Sequence, residues 1–160
     1  LKELGLKKEM IGDSLVDIYN YYIAKAEYDN ATELAADFNM DQEKLYEAAY
    51  LAFTLKLKSQ RFGPARNIIH KYKIEDDEKI TAKIDEMFLN NINSGKFEQA
   101  ADLKKEFLLS DKTTNPKIVP IVISKLKTKN IDHAMELFKL FSISRLTKWS
   151  NRRLSCSIII

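Results

Sequence analysis

Apolar positions in this chain return on a helical spacing and then return again on a longer one. Small residues at Ala31, Ala65, Ala100 and Ala134 are separated by 34, 35 and 34 residues. Each carries the same companions. Three residues before them stand Tyr28, Phe62, Phe97 and Ile131; three after stand Leu34, Ile68, Leu103 and Leu137; seven after stand Phe38, Tyr72, Phe107 and Phe141. Offsets of three, four and seven lie on one face of a helix, so each segment presents one apolar stripe with a small residue at its middle. A second stripe lies upstream, with Ile23, Leu57, Ile92 and Leu126 eight residues before the anchors and Tyr19, Phe53, Phe88 and Val122 twelve before.

Two amphipathic helices per unit and a 34–35-residue period predict an all-α fold, an α-solenoid of about four helix-turn-helix repeats. One such pair cannot bury both stripes alone, so neighbouring repeats must cover them and the four alanines are predicted to be buried. The repeats occupy residues 1–143. Residues 144–160 are a basic tail or capping helix, with Leu146, Trp149 and Arg153 on one side. The chain opens on Leu1-Lys2-Glu3-Leu4-Gly5-Leu6-Lys7, which reads as the end of a preceding repeat and predicts a segment of a longer protein.

Local signals refine the boundaries. Gly12-Asp13-Ser14 starts the first helix, and Asp41 caps the third. Phe62-Gly63-Pro64 is predicted to make a turn. The run Glu75-Asp76-Asp77-Glu78 lacks the spaced ligands of a calcium loop and fits acidic residues at a helix N-terminus. Thr114-Asn115-Pro116 reads as a cap followed by proline at the first helical position. Pro120 then requires either a start near Val119 or a kink, since it cannot donate to the carbonyl of Pro116.

Composition agrees with helices. The four glycines and three prolines are too few for a disordered chain or a many-turned β-fold. One cysteine, Cys156, excludes an internal disulfide and a multi-cysteine zinc site. No apolar run is long enough to span a membrane. Catalytic signatures are lacking: His70 and His133 have no metal-binding spacing, there is no phosphate-binding glycine loop, and Cys156 has no evident base beside it. The expectation is a non-enzyme with no cofactor, metal or small-molecule substrate.

Charge divides the chain. Residues 112–160 carry net +8 and the remainder net −5. A basic end of this kind predicts either an anionic partner or a solvated lysine-rich surface. Its candidate contacts are Lys117, Lys125, Lys129, Arg145, Lys148, Arg152 and Arg153, with Trp149 either stacking on a base or packing at the end of the solenoid.

The linker-like Leu1-Lys2-Glu3-Leu4-Gly5-Leu6-Lys7, the stretch Ala24-Lys25-Ala26-Glu27-Tyr28-Asp29-Asn30-Ala31-Thr32-Glu33-Leu34, and Lys129-Asn130-Ile131-Asp132-His133-Ala134-Met135-Glu136-Leu137-Phe138 resemble pentatricopeptide repeats. Tetratricopeptide repeats share the turn aromatic and the alanine. They favour a small residue seven past the anchor and a proline twelve past it, where this chain has aromatics and then Glu43, Asp77, Lys112 and Leu146. The pentatricopeptide resemblance implies a right-handed superhelix and single-stranded RNA as ligand, in a mitochondrion or chloroplast, serving RNA stability, processing or translation. A cytoplasmic setting is the alternative. Fifteen residues before each anchor, where that family reads a base with a small polar side chain, stand Val16, Tyr50, Asp85 and Val119. No base code follows from these, which leaves phosphate binding or, alternatively, a tetratricopeptide-like scaffold for a protein partner.

Overall fold

The computed structural model describes residues 14–141 and 143. Within them the chain forms eight α-helices and no strand: α1 Ser14–Ala24, α2 Tyr28–Asp37, α3 Gln42–Lys58, α4 Phe62–Lys71, α5 Glu78–Asn93, α6 Phe97–Glu106, α7 Asp111–Lys127 and α8 Ile131–Leu140. Contacts divide the chain into two compact units, Leu1–Met87 and Phe88–Ile160, with α5 starting in the first and ending in the second.

The turns repeat as faithfully as the side chains. Ala26, Gln60, Gly95 and Lys129, each five residues before an anchor alanine, have left-handed φ angles of 55, 59, 73 and 59°. At each site the next N–H donates five residues back, from Glu27 to Tyr22, Arg61 to Lys56, Lys96 to Asn91 and Asn130 to Lys125, at 2.8–2.9 Å. This is a Schellman closure, which satisfies carbonyls that a helix end otherwise leaves open. The residues that follow, Glu27, Arg61, Lys96 and Asn130, share φ between −95 and −86° and ψ between 56 and 70° and lead straight into the second helix. A second turn of the same kind recurs at Asn39, Lys73 and Leu108, eight residues after the first three anchors. Gly95 is the one glycine among these sites; elsewhere, non-glycine residues hold a conformation that costs about 1–2 kcal/mol.

In the first unit α1 packs on α2, α2 on α3 and α3 on α4. Leu15 and Tyr19 of α1, Ala31, Leu34, Ala35 and Phe38 at α2, and Ala48 of α3 form one apolar cluster. Ala48, Ala49 and Ala52 face inward, so α3 presents little more than backbone there and its neighbours come close. The Tyr19 hydroxyl donates to the Lys44 carbonyl at 2.9 Å and to Glu47 Oε2 at 3.1 Å, tying α1 to the start of α3. Burial and the Glu47 carboxylate push that phenol above its ordinary pKa.

As predicted, Asp41 caps α3, its carboxylate accepting from the Lys44 N–H at 2.8 Å. Asp77 accepts from the Lys79 N–H at 2.7 Å at the start of α5, so the acidic run does lie at a helix N-terminus. Phe62-Gly63-Pro64 is not a turn: α4 already begins at Phe62, after the left-handed turn at Gln60. Proline at the third helical position loses no intrahelical bond, which is why it fits there.

In the second unit α7 packs on α8, and α6 packs on α8, so second helices of successive pairs touch. Phe88 and Phe141 meet edge to face at 5.8 Å, both essentially fully buried, and Phe97 meets the ring of His133 in the same way. The start of α7 differs from the sequence expectation. Ser110 is the N-cap, accepting from the Thr113 N–H at 3.3 Å, and the helix runs through both Pro116 and Pro120. The two prolines are four residues apart on the exposed side, while Thr114, Ile118 and Val122 form the buried face. The carbonyls that lose a donor lie on the exposed side, open to solvent, and packing along the other side keeps the helix continuous.

All four anchor alanines are fully buried, as are Tyr19, Phe53, Phe88 and Val122. The remaining stripe positions vary. Tyr72 and Phe107 are half-buried, and Leu126 and Ile131 in the fourth pair are exposed.

Candidate nucleic-acid interface

The predicted cationic residues that fall within the described region lie on α7 and the turn after it. Helix α7 ends at Lys127, and the Thr128 hydroxyl folds back to donate to the Ser124 and Lys125 carbonyls at 3.1 and 3.0 Å. Lys129 then takes the left-handed φ that turns the chain into α8. Lys125, Lys127 and Lys129 are gathered at one helix end, half-buried, exposed and exposed respectively. Lys117 stands apart. It lies eight residues before Lys125, about 12 Å along the helix axis, is half-buried, and already has an interaction partner. Arg145, Lys148, Trp149, Arg152 and Arg153 lie outside the described residues.

Sequence reasoning passed over Lys127, although the alternation Lys125-Leu126-Lys127-Thr128-Lys129 was the available signal. Cations at a helix C-terminus are stabilised by the macrodipole, so part of their placement belongs to the fold. The repeat supplies a control for the rest. Lys56 holds the position in α3 that Lys125 holds in α7, nine residues before the anchor, and Lys56 is ion-paired with Asp29. Lys104 in the second unit is likewise occupied, paired with Asp111 at 2.5 Å and lying over the Phe141 ring. Lys125, Lys127 and Lys129 have no carboxylate within ion-pair distance among the described residues.

The four positions where the resembled family reads bases do not form a polar row. Val16 is exposed, while Tyr50, Asp85 and Val119 are half-buried. Tyr50 stacks on Tyr46 with ring centres 6.1 Å apart and tilts against Phe53, so it serves the packing of α3. Below it, burial and the Asp77 carboxylate push the Tyr46 phenol up to about 12.

The first unit has a cleft of a different character. Two adjoining hollows of about 280 and 140 Å³ share Asp29 and Ala52 and run across α2, α3 and α4. Both lysines that line them are paired, Lys56 with Asp29 and Lys71 with Glu33 at 3.8 Å, and Glu27 adds a further carboxylate. Lys71 also lies over the Tyr72 ring at 5.1 Å, and Tyr72 with the nearby carboxylates Glu33 and Asp37 raises its pKa. Such a surface offers an anion little net attraction.

Among the described residues no group of His, Cys, Asp or Glu is arranged to hold a metal ion, and no helix is long and apolar enough to cross a membrane. His133 is exposed, with Nδ1 at 3.1 Å from the Asn130 amide. No family model, curated protein or solved structure matches the chain.

Proposed function

We propose that this chain is an α-solenoid binding module of the pentatricopeptide-repeat type whose basic second half binds single-stranded RNA through phosphates, without base-by-base readout. The observation that carries this reading is the set Lys125, Lys127 and Lys129. These cations are gathered at one turn with no carboxylate partner among the described residues, whereas the equivalent Lys56 is neutralised by Asp29. The predicted tail cations Arg145, Lys148, Arg152 and Arg153 follow in the same half of the chain. This concentration of positive charge in one half of the sequence suits a phosphate backbone. Val16, Tyr50, Asp85 and Val119 supply no common base-reading group, so specificity for sequence is low. The superhelical stacking, the organelle setting and the role in RNA stability, processing or translation rest on the resemblance.

Titration of mixed-sequence single-stranded RNA at increasing salt tests the reading. Each phosphate contact contributes a slope of about −0.7 in log affinity against log salt. Replacing Lys125, Lys127 and Lys129 with Ala flattens the slope by about 2 if all three make contacts. Binding that is absent at low salt, or a slope unchanged in the triple variant, contradicts it.

A second reading, a tetratricopeptide-like scaffold for a protein partner, draws on the exposed Leu126, Ile131 and Met135 of α7 and α8. An apolar surface of this kind suits a protein ligand better than a phosphate chain.

A further inference from the structure

The two units carry opposite charge. Among residues 14–87 fourteen carboxylates stand against ten lysines and arginines, whereas residues 88–141 hold nine of these cations against six carboxylates. Apolar side chains lie beside both imbalances. In the first unit the cleft across α2, α3 and α4 has the buried Ala52 in its floor and the exposed Leu55 in its lining, with Tyr28, Ile68 and Tyr72 half-buried around it. In the second unit the exposed Leu126 stands between Lys125 and Lys127, and the exposed Ile131 follows Lys129 by two residues.

We propose that these two surfaces join copies of the chain head to tail, the lysine turn between α7 and α8 of one copy docking on the cleft of the next. Charge complementarity selects a second copy as the occupant. Asp29, Glu33 and Asp37 recur every four residues along α2, about 6 Å apart along its axis, and all three are exposed. Asp29 and Glu33 line the cleft, and each already receives a lysine from a neighbouring helix, Lys56 of α3 and Lys71 of α4. Ammonium groups are thus what this row accepts, and it has room for more of them. The two carboxylates remain 55% and 65% exposed, the Lys71 contact is loose at 3.8 Å, and Glu27 brings the lining to three carboxylates against two lysines. Lys125, Lys127 and Lys129 are the converse, cations with no carboxylate within ion-pair distance among the described residues. Asp132, three residues past Lys129, leaves that turn with net +2. Leu126, set between two of the lysines, supplies the apolar group for the surface made by Ala52 and Leu55.

The contact joins unlike surfaces, so each added copy leaves one cleft and one lysine turn free, and association continues as a chain of copies. A turn set in hollows of about 280 and 140 Å³ is a small contact, so the association is weak, appears at high protein concentration and is loosened by salt. The lysines are those assigned above to RNA, so it belongs to the RNA-free chain.

Sedimentation velocity of the full chain without RNA tests this. The mean mass is expected to rise with protein concentration at low salt and to return to the monomer value at high salt. Glu33→Lys in the cleft and Lys127→Glu in the turn, both at exposed sites, are each expected to abolish the rise while helical circular dichroism is kept. Mixed together, the two variants are expected to form a one-to-one pair that grows no further, because the first keeps an intact turn and the second an intact cleft. Leu126→Ser is expected to weaken the association, and Glu98→Lys, a charge reversal on the exposed side of α6, to leave it unchanged. A parent that stays monomeric at low salt and high concentration overturns the proposal and leaves the cleft to a different protein. Association that survives both charge reversals, or a mixture that yields no pair, overturns it as well. RNA is absent throughout, so this outcome is separable from that of the RNA titration.

Discussion

Leu57 and Phe62, on either side of the turn joining α3 to α4, are buried, whereas Leu126 and Ile131, in the same places around the turn joining α7 to α8, face solvent. The two pairs agree in much else. Ala65 and Ala134 are fully buried, Phe53 and Val122 fill the same inward position, and Gln60 and Lys129 take the same left-handed φ of 59°. The turn and the buried anchor therefore recur in both pairs. Burial around the turn depends on what lies next to the pair. Charge follows the same division. Lys56 in α3 is neutralised by Asp29 of α2, while Lys125 in α7 has no such neighbour among the described residues. One repeat plan thus yields a self-satisfied surface in the first unit and an open, basic one in the second.

The sharpest way to break this comparison is to truncate the inward residue. Phe53→Ala removes a fully buried ring and is expected to lower stability by roughly 3–5 kcal/mol. Phe107→Ala, which the periodicity alone places at the same cost, is expected to cost clearly less, because Phe107 is half-buried. Chemical denaturation of both variants measures the difference; equal losses would mean that stripe position rather than burial sets the energy.

The shared turn predicts effects of opposite sign at equivalent sites. Gln60→Gly relieves a left-handed non-glycine residue and is expected to stabilise by about 1 kcal/mol, and Gly95→Ala to destabilise by about 1 kcal/mol. Nothing lies within 4 Å of an added Cβ at Gly95, so backbone strain is isolated from crowding there. Thermal melts in which both changes have the same sign would contradict the common turn.

Smaller effects separate the two caps. Ser110→Ala at the start of α7 is expected to cost about 1 kcal/mol at any pH. At α3 the cap is a carboxylate. Hydrogen bonds from the Lys44 side chain and backbone, with the Lys44 charge, hold Asp41 below its ordinary pKa. Its contribution is present above the ordinary carboxylate range and is lost as pH falls through the lowered folded value. An Asp41→Ser variant is therefore expected to lose less stability than the parent between neutral and acidic pH. Parallel losses would remove Asp41 from the acid response.

The alanine anchors and inward aromatics were readable from the chain because a buried small residue with apolar residues at helical offsets leaves a pattern that returns each period. The turns were not. Ala26, Gln60 and Lys129 adopt a glycine-like conformation without being glycine, so only Gly95 marks that site in the sequence. The start of α7 was misread for the reverse reason: Pro116 and Pro120 are strong boundary signals, yet they sit on the exposed side of a helix held by Thr114, Ile118 and Val122. Within the candidate interface, charge count identified the basic half. Composition could not show that Lys125 and Lys129 come together with Lys127 while Lys117 stands apart, because that depends on where α7 ends and how its last turn closes.

Hydrogen–deuterium exchange of the full chain with and without mixed-sequence single-stranded RNA tests the central claim most directly. Binding through the basic second half predicts slowed exchange at residues 124–130 and 144–153, with α2, α3 and α4 unchanged. Protection confined to the cleft across α2, α3 and α4, with none around the turn between α7 and α8, would contradict it.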